Sequence, residues 1–583
     1  MIRKNFSFLI SIILIILFLY YASRFNMPVN SNGKTDSPVT GSAVSGTNGM
    51  VSSASKYASQ VGIDILKKGG NAIDAAVAVG FVLAVTYPQA GNIGGGGFMI
   101  LRTKDTITTI DFREKAPILS TRDMFLDNDG NFLPEKSQIG HLSAGVPGTV
   151  AGFLYALEKY GSMPLDTVIE PAIQLAERGF EIEEQLAQSL NANFDNFNRF
   201  TSTRKIFTKG GINFYPGEKF IQKDLAKTLK LIKIHGRDGF YKGITAELIE
   251  AEMKRGGGII TKSDLEQYQP VERPYVHTNY KGYDIYSMGP PSSGGVALIQ
   301  LLNMIEDLPV PDRKSAYYGV KDYTEWLHIV IESMKRVYAD RSQHLGDPDF
   351  WKVPVHKLTD REYAKQRRSE IRDRATESAD IKPGIFGNES DETTHYSVID
   401  KDGNMVAVTT TLNNTYGSFV VVDGAGFLLN DEMDDFASKP GEPNMFGLIG
   451  NEANAIEPGK RMLSSMTPTL ILKNGEPFMI LGSPGGGRII TTVFQTIINI
   501  IDFKLSLDSA INRPRFHHQW YPDYVQHEDG AIDGAVMEKL REKGHEFKPI
   551  GDFGRVEGIL IDWKNRIYYG HSDRRGYGKA IGY

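Results

Sequence analysis

In the stretch "DETTHYSVIDKDGNMVAVTTTLNNTYG", residues 391–417, hydroxyls gather on both sides of one turn: Thr393 and Thr394 before it, Thr409, Thr410 and Thr411 after it, with His395 beside the first pair. Alternation predicts two strands, 393–400 and 405–412, joined by a two-residue turn centred on Asp402-Gly403. That turn sets Thr411 opposite Thr394, and a slip of one residue sets it beside Thr393. Threonine is a good strand former, so such hydroxyls can simply face solvent. A threonine that becomes a chain terminus is different. The Thr393 hydroxyl can attack the carbonyl of Glu392, and an N-to-O acyl shift followed by ester hydrolysis would cut the chain there. The freed α-amine titrates near 7.7–8 in its reference state, which suits it to take the proton from its own hydroxyl. The β-branch restricts χ1 and pre-sets the nucleophile.

Positioning such a residue takes a large framework, and the chain has one. Its 583 residues can bury several cores or one layered α/β unit. The formal net charge is -5, from 65 basic and 70 acidic side chains, which argues against a nucleic-acid or acidic-lipid partner and for a small ligand. There is no cysteine, hence no disulfide, thiolate metal site or lipid-modified cysteine. Residues 1–26, "MIRKNFSFLISIILIILFLYYASRFN", place Arg3 and Lys4 before an uncharged apolar run from Phe6 to Ser23. This is an export signal whose length lies between a cleaved signal peptide and a short membrane anchor, and "YYASRF" offers a poor cleavage site. The basic flank directs everything after it outside the cytoplasm, to a periplasmic or extracellular face. Residues 27–48, rich in Ser, Gly, Thr and Asn, read as a flexible tether.

In "GGNAIDAAVAVGFVLAVTYPQAGNIGGGGFMI" Asn71 caps a helix with Asp74 at N3, apolar all round and therefore buried, which ends at Tyr87-Pro88. Gly94 to Gly97 open a strand rather than a helix. They permit close backbone approach and do not form a phosphate cradle. Residues 150–275 are helical in pattern, and "YKGYDIYSMGPPSSGGVALIQLLNMIED" reads as strand, loop and a helix entered at Ser292 or Ser293. Residues 361–391 are charged and turn-rich and read as an exposed, mobile joint. After it the chain is rich in hairpin signals. A helix-rich half, a joint and a strand-rich half are best buried as sheets between helices.

"TTHYSVIDKDGNMVAVTTTLN", "LLNDEMDDF", "RMLSSMTPTL" and "GSPGGGRIITTV", with "GGNAIDAAVA", "GNIGGGGFMI", "DFREKAP" and "GVPGTVAGF" before them, strongly resemble the γ-glutamyltranspeptidases from about Gly49 to Tyr583. The resemblance implies an N-terminal-nucleophile hydrolase with an α/β, four-layer αββα sandwich, cut between Glu392 and Thr393 into a large subunit, 49–392, and a small catalytic one, 393–583, that stay together as a heterodimer. It implies no cofactor and no metal. Thr393 would be the nucleophile and Thr411 its hydroxyl partner, with Gly485 and Gly486 giving N–H groups to the oxyanion. Arg113, Ser464 and Ser465 would hold the α-carboxylate of a γ-glutamyl donor, and Asn413, Glu432 and Asp435 its α-ammonium. The implied activity is cleavage of glutathione and other γ-glutamyl amides, with the acyl group passed to water, an amino acid or a peptide.

Two positions depart from the family pattern. Phe446 stands in the lid-like segment where a tyrosine often sits, and Glu432 where some members have glutamine. Relatives on the same scaffold that deacylate cephalosporin-type amides or hydrolyse poly-γ-glutamate remain alternatives, as does a tethered binding protein that neither cuts nor catalyses. Taken singly, "DFRE" is more often a surface ion pair and "SPGGG" a turn. His517 and His518 are adjacent, point to opposite faces of a strand and read as structural. His395 reads as support for the nucleophile rather than as a base.

Overall fold

The computed structural model describes residues 42–311, 321–382, 393–442, 444–445, 448 and 451–583. The N-terminal signal or anchor, most of the tether, Glu392 and Phe446 therefore lie outside the described residues, and among the described residues no helix is long and apolar enough to cross a membrane.

Two seven-stranded sheets carry the molecule, and every pairing within them is antiparallel. One runs in the order Lys579–Gly582, Gly49–Ser53, Thr394–Asp400, Met405–Thr411, Gly96–Arg102, Ile107–Asp111, Val271–Arg273. The other runs Val44–Gly46, Ile567–Ser572, Glu557–Asp562, Glu476–Leu481, Thr469–Lys473, Tyr283–Ser287, Val276–Tyr280. Alternation along the strands divides their side chains between two faces. Met50, Ile100, Ile399, Met405 and Ala407 of the first sheet meet Leu470, Leu472, Ile480, Ile559 and Ile561 of the second. On the outer faces, Val398, Val406 and Val408 pack under the helix Ala72–Thr86 and its neighbours, while Ile471, Met479 and Leu481 pack under Gly294–Ile305, Lys321–His344 and Gly487–Ile501. The result is four layers, helix, sheet, sheet, helix, as expected.

The helix Ala72–Thr86 is buried at every residue. Asn71 Oδ1 accepts from Ile73 and Asp74 N–H at 2.9 and 3.0 Å, and Asp74 accepts from Asn71 N–H at 2.8 Å, which closes a capping box. Strands from before and after residue 390 share both sheets. One expectation needs correction. The 361–391 segment is not simply an exposed joint: Arg361–Ser369 is a helix that buries Tyr363, Ala364 and Arg367, capped by Asp360, and residues 383–392 lie outside the described residues. Its charges had hidden the helix, since Arg367 pairs inwardly with Asp340 at 2.9 Å.

The central hairpin also differs from expectation by one residue. Its loop is Lys401-Asp402-Gly403, closed by Asp400 N–H to Asn404 O and Gly403 N–H to Asp400 O, both 3.2 Å. Thr394 therefore faces Thr410 and His395 faces Thr409, and the same register sets Thr393 across from Thr411. Asp400 holds the loop: its carboxylate accepts from Asp402 N–H at 2.9 Å, Asn404 N–H at 3.0 Å and Asn404 Nδ2 at 2.7 Å, and from Ala72 N–H, at the start of the buried helix, at 2.9 Å. Gly403 has φ +81°, and a Cβ there would lie 2.6 Å from the Trp563 ring. Gly403→Ala should thus cost about 1–3 kcal/mol from the left-handed backbone, with steric cost added. Thermal unfolding of the variant should show a lowered Tm, and an unchanged Tm would contradict this account of the turn.

Candidate active site

Alternation places Thr393 and Thr411 on the same face as His395 and Thr409, the face turned to the second sheet, at the end of the hairpin. Both threonines are buried. Thr411 Oγ1 accepts from Asn413 N–H at 2.8 Å and lies beside the Glu432 carboxylate. The Thr411 carbonyl takes Asn92 Nδ2 at 2.7 Å, and Asn92 Oδ1 accepts from Gly95 N–H at 2.9 Å and Thr149 Oγ1 at 2.7 Å. The glycine run earns its place here. A Cβ on Gly95 would sit 2.1 Å from Thr411 O, one on Gly97 2.3 Å from Thr409 O, and one on Gly94 2.1 Å from Leu428 O. Only glycine lets this edge lie against the hydroxyl-bearing strand.

Beyond Thr411 the chain turns through Asn413, at φ +76°, whose Nδ2 donates to Asp431 O at 3.1 Å. Asn414 N–H donates to Asp431 Oδ1 at 2.9 Å, and Asp431 N–H to Leu412 O at 2.9 Å, so the turn carries the short 3-10 segment Glu432–Asp435 to the site. There Arg113, 1% exposed, lies among carboxylates. Its Nη1 is 2.6 Å from Glu432 and 3.4 Å from Glu114, and its Nη2 donates to Asp435. Nε and Nη2 also donate to the Met462 and Leu463 carbonyls, each at 3.3 Å, directly before Ser464 and Ser465. "DFRE" is therefore a buried charge centre, not a surface pair. Burial pushes the Glu432 carboxyl up, against the pull of Arg113. Burial, with the Glu432 charge, holds Glu114 well above the usual carboxylate range, against the pull of Arg113.

Gly485 and Gly486 follow the strand Glu476–Leu481 and have φ +126° and +55°. Gly486 is the N-cap of Gly487–Ile501, with Arg488 N–H on Gly485 O at 3.1 Å and Ile489 N–H on Gly486 O at 2.8 Å. Unpaired amides at a helix start favour developing negative charge. The same connection passes beneath His395, whose ring a Cβ on Gly482 would meet at 2.4 Å. His395 contacts Thr409 Oγ1 at 2.9 Å and Ser397 Oγ at 3.1 Å, and burial pushes its imidazole down to about 3, which suits a neutral strut and not a base. His517 bonds Thr491 at 2.8 Å and Gln519 at 2.9 Å, whereas His518 pairs with Asp523 at 3.3 Å, so the two serve separate contacts. Among the described residues no group of three or more His, Asp or Glu is arranged to hold a metal.

The structure thus brings together Thr393, Thr411, Asn413, Glu432, Asp435 and Arg113, with Ser464 and Ser465 adjoining the arginine's carbonyl partners. Sequence reading missed Glu114 and Asn92. The signal for Glu114 was present, an acid next to an arginine on a strand end, but only its burial distinguishes it from a surface pair.

A family model described as gamma-glutamyltranspeptidase matches residues 58–583. The chain is 49% identical over 531 residues to the glutathione hydrolase proenzyme of Escherichia coli K12, covering 90% of each chain. Among solved structures, a cephalosporin acylase from Bacillus halodurans superposes with TM-score 0.82 at 27% identity over 96% of this chain and 99% of that one. The gamma-glutamyltranspeptidase of Helicobacter pylori superposes with TM-score 0.54 at 46% identity, covering 61% of this chain and 97% of that one.

The lowered His395 value has a definite sign. Between about 3 and the ordinary value near 6.5 the unfolded chain binds a proton that the native state excludes, so this contribution to stability is present above 6.5 and is lost as pH falls. In nitrogen-15 NMR the His395 ring should stay neutral from pH 8 to pH 5. A midpoint inside that range would overturn its assignment as a neutral strut.

Proposed function

The chain belongs to the gamma-glutamyltranspeptidase family, and we propose that it matures by cutting itself between Glu392 and Thr393 and then transfers γ-glutamyl groups through Thr393. The proenzyme named among its relatives, and a solved Helicobacter chain covered to 97% that spans 61% of this one, support a chain that is divided. The substrates are glutathione and other γ-glutamyl amides. The arrangement that carries this reading is Arg113 flanked by Glu432 and Asp435 next to the Thr393 hairpin end.

A glutamyl donor is a zwitterion at its α-carbon. Its α-carboxylate takes the Arg113 fork with the Ser464 and Ser465 hydroxyls, and its α-ammonium takes Glu432, Asp435 and the Asn413 side chain. In the free site Arg113 faces both carboxylates, so the donor enters by exchanging partners without leaving the guanidinium unpaired. Thr393 Oγ then attacks the γ-carbonyl while the Thr393 α-amine takes the hydroxyl proton. The Gly485 and Gly486 amides hold the oxyanion, and the α-ammonium returns the proton to the departing amine. Water, or the amine of an amino acid or peptide, attacks the resulting ester and takes the acyl group.

The cephalosporin acylase likeness supplies a second reading, but an acyl chain without an α-ammonium would leave Glu432 and Asp435 facing only Arg113. The N-terminal run Phe6 to Ser23 places the mature heterodimer on the periplasmic or extracellular face, tethered if the run is retained.

A denaturing gel with N-terminal sequencing should show two fragments, the smaller starting Thr-Thr-His-Tyr-Ser. Thr393→Ala should remain a single inactive chain, and normal cutting in that variant would remove Thr393 as nucleophile. A wild-type chain that never cuts yet binds glutamate would select the binding-protein alternative. Arg113→Ala should mature but raise KM for a γ-glutamyl anilide on the order of 100-fold, the scale of losing one partner of a buried charge pair. Arg113→Lys, which keeps the charge without the fork, should lose less. An unchanged KM in Arg113→Ala would end its role in donor binding.

A further inference from the structure

Arg341 stands in the last turn of the helix Lys321–His344 and is 2% exposed. Its guanidinium has only donors to offer. Nε donates to Ser293 Oγ at 3.0 Å and Nη2 to Ser465 Oγ at 3.1 Å. Having accepted there, Ser293 Oγ donates to Ser464 O at 3.0 Å, an oxygen that also takes Ser293 N–H at 2.7 Å and Ser292 Oγ at 3.0 Å. Ser464 Oγ in turn accepts from Met466 N–H at 3.2 Å.

A serine hydroxyl carries one proton and two lone pairs. On Ser464 and Ser465 a lone pair is engaged by a group that can only donate, Met466 N–H on one and Arg341 on the other. Among the described residues neither hydroxyl has a side-chain or backbone acceptor for its own proton. Both protons are therefore left to point at an acceptor from outside the protein. They do so beside Arg113, which is anchored on the two carbonyls preceding Ser464.

We propose that Arg341 is a positioning residue that sets the polarity of the carboxylate cradle: by donating to Ser465 and, through Ser293, holding Ser464, it makes two serines into outward O–H donors for the donor's α-carboxylate. It touches no substrate. A second buried cation behind the hydroxyls also favours an anion in front of them. This inference rests on the γ-glutamyl reading of the same site.

The test is a double-mutant cycle on the matured enzyme with L-γ-glutamyl-p-nitroanilide. Arg341→Met should raise KM about tenfold, the worth of one charge-assisted hydrogen bond, with kcat within about twofold. Ser465→Ala should raise KM similarly. In the Arg341→Met background Ser465→Ala should add less than about twofold, because the hydroxyl has already lost its orientation. Multiplicative effects, a fall in kcat at constant KM, or no change in Arg341→Met would overturn the proposal, since a merely structural arginine would not couple to one hydroxyl. If Arg341→Met does not mature, Arg341→Lys decides: a severalfold rise in KM supports the proposal, and an unchanged KM overturns it. Failure of the wild-type enzyme to turn over the anilide would instead sink the γ-glutamyl reading itself.

Discussion

The register of one hairpin governs the site. Asp400 and Gly403 close a three-residue loop instead of a two-residue one, and that extra residue sets Thr393 across from Thr411. Because side chains alternate along a strand, a shift of one residue would turn the hydroxyls toward the opposite layer. The loop is held from outside the hairpin as well, by Ala72 N–H at the start of the buried helix. Neighbouring strands reinforce it, with Gly49–Ser53 pairing against Tyr396–Asp400 on one side and Gly96–Arg102 against Met405–Thr411 on the other. A site at the end of two central strands inherits their rigidity.

The second constraint is the cost of burying charge. Arg113 lies almost wholly out of water, and an unpaired guanidinium there would be prohibitive. Glu432 and Asp435 meet that cost in the free protein, and burial with the nearby Glu432 charge raises the Glu114 carboxyl well above the usual range. In the proposed donor complex, a ligand that brings both a carboxylate and an ammonium gives Arg113 and the two carboxylates new partners, whereas a ligand with only one of them leaves the other group without one. The proposed selectivity for a zwitterion rests on these electrostatics.

Around these lies a shell of groups that act by fixing others. Asn92 ties the Thr411 carbonyl to the glycine edge, His395 braces Thr409 as a neutral ring, and Arg341 holds the serine loop against the helix Lys321–His344. Preorganised donors of this kind spare the reorganisation that water would require as charge develops.

Much of this was legible in the residue order. Asn71 and Asp74 announced the capped, buried helix, the glycine run announced a close backbone approach, and the paired threonine clusters around Asp402-Gly403 announced a hairpin with hydroxyls at its end. Those features depend on neighbours a few positions apart, where propensity, capping and alternation operate. The sequence alone did not settle the one-residue register, the helix hidden in the charged 361–369 segment, the burial of Glu114 or the link from Arg341 to Ser465. Each depends on burial and on partners brought together by packing, with Arg113 meeting Asp435 across 322 positions and Arg341 meeting Ser465 across 124. Short-range pattern determined which elements form and which residue types line the site. The stacking of two sheets between helices decided which charges lose their water and must find one another, because desolvation is a property of the assembled layers and of no single segment.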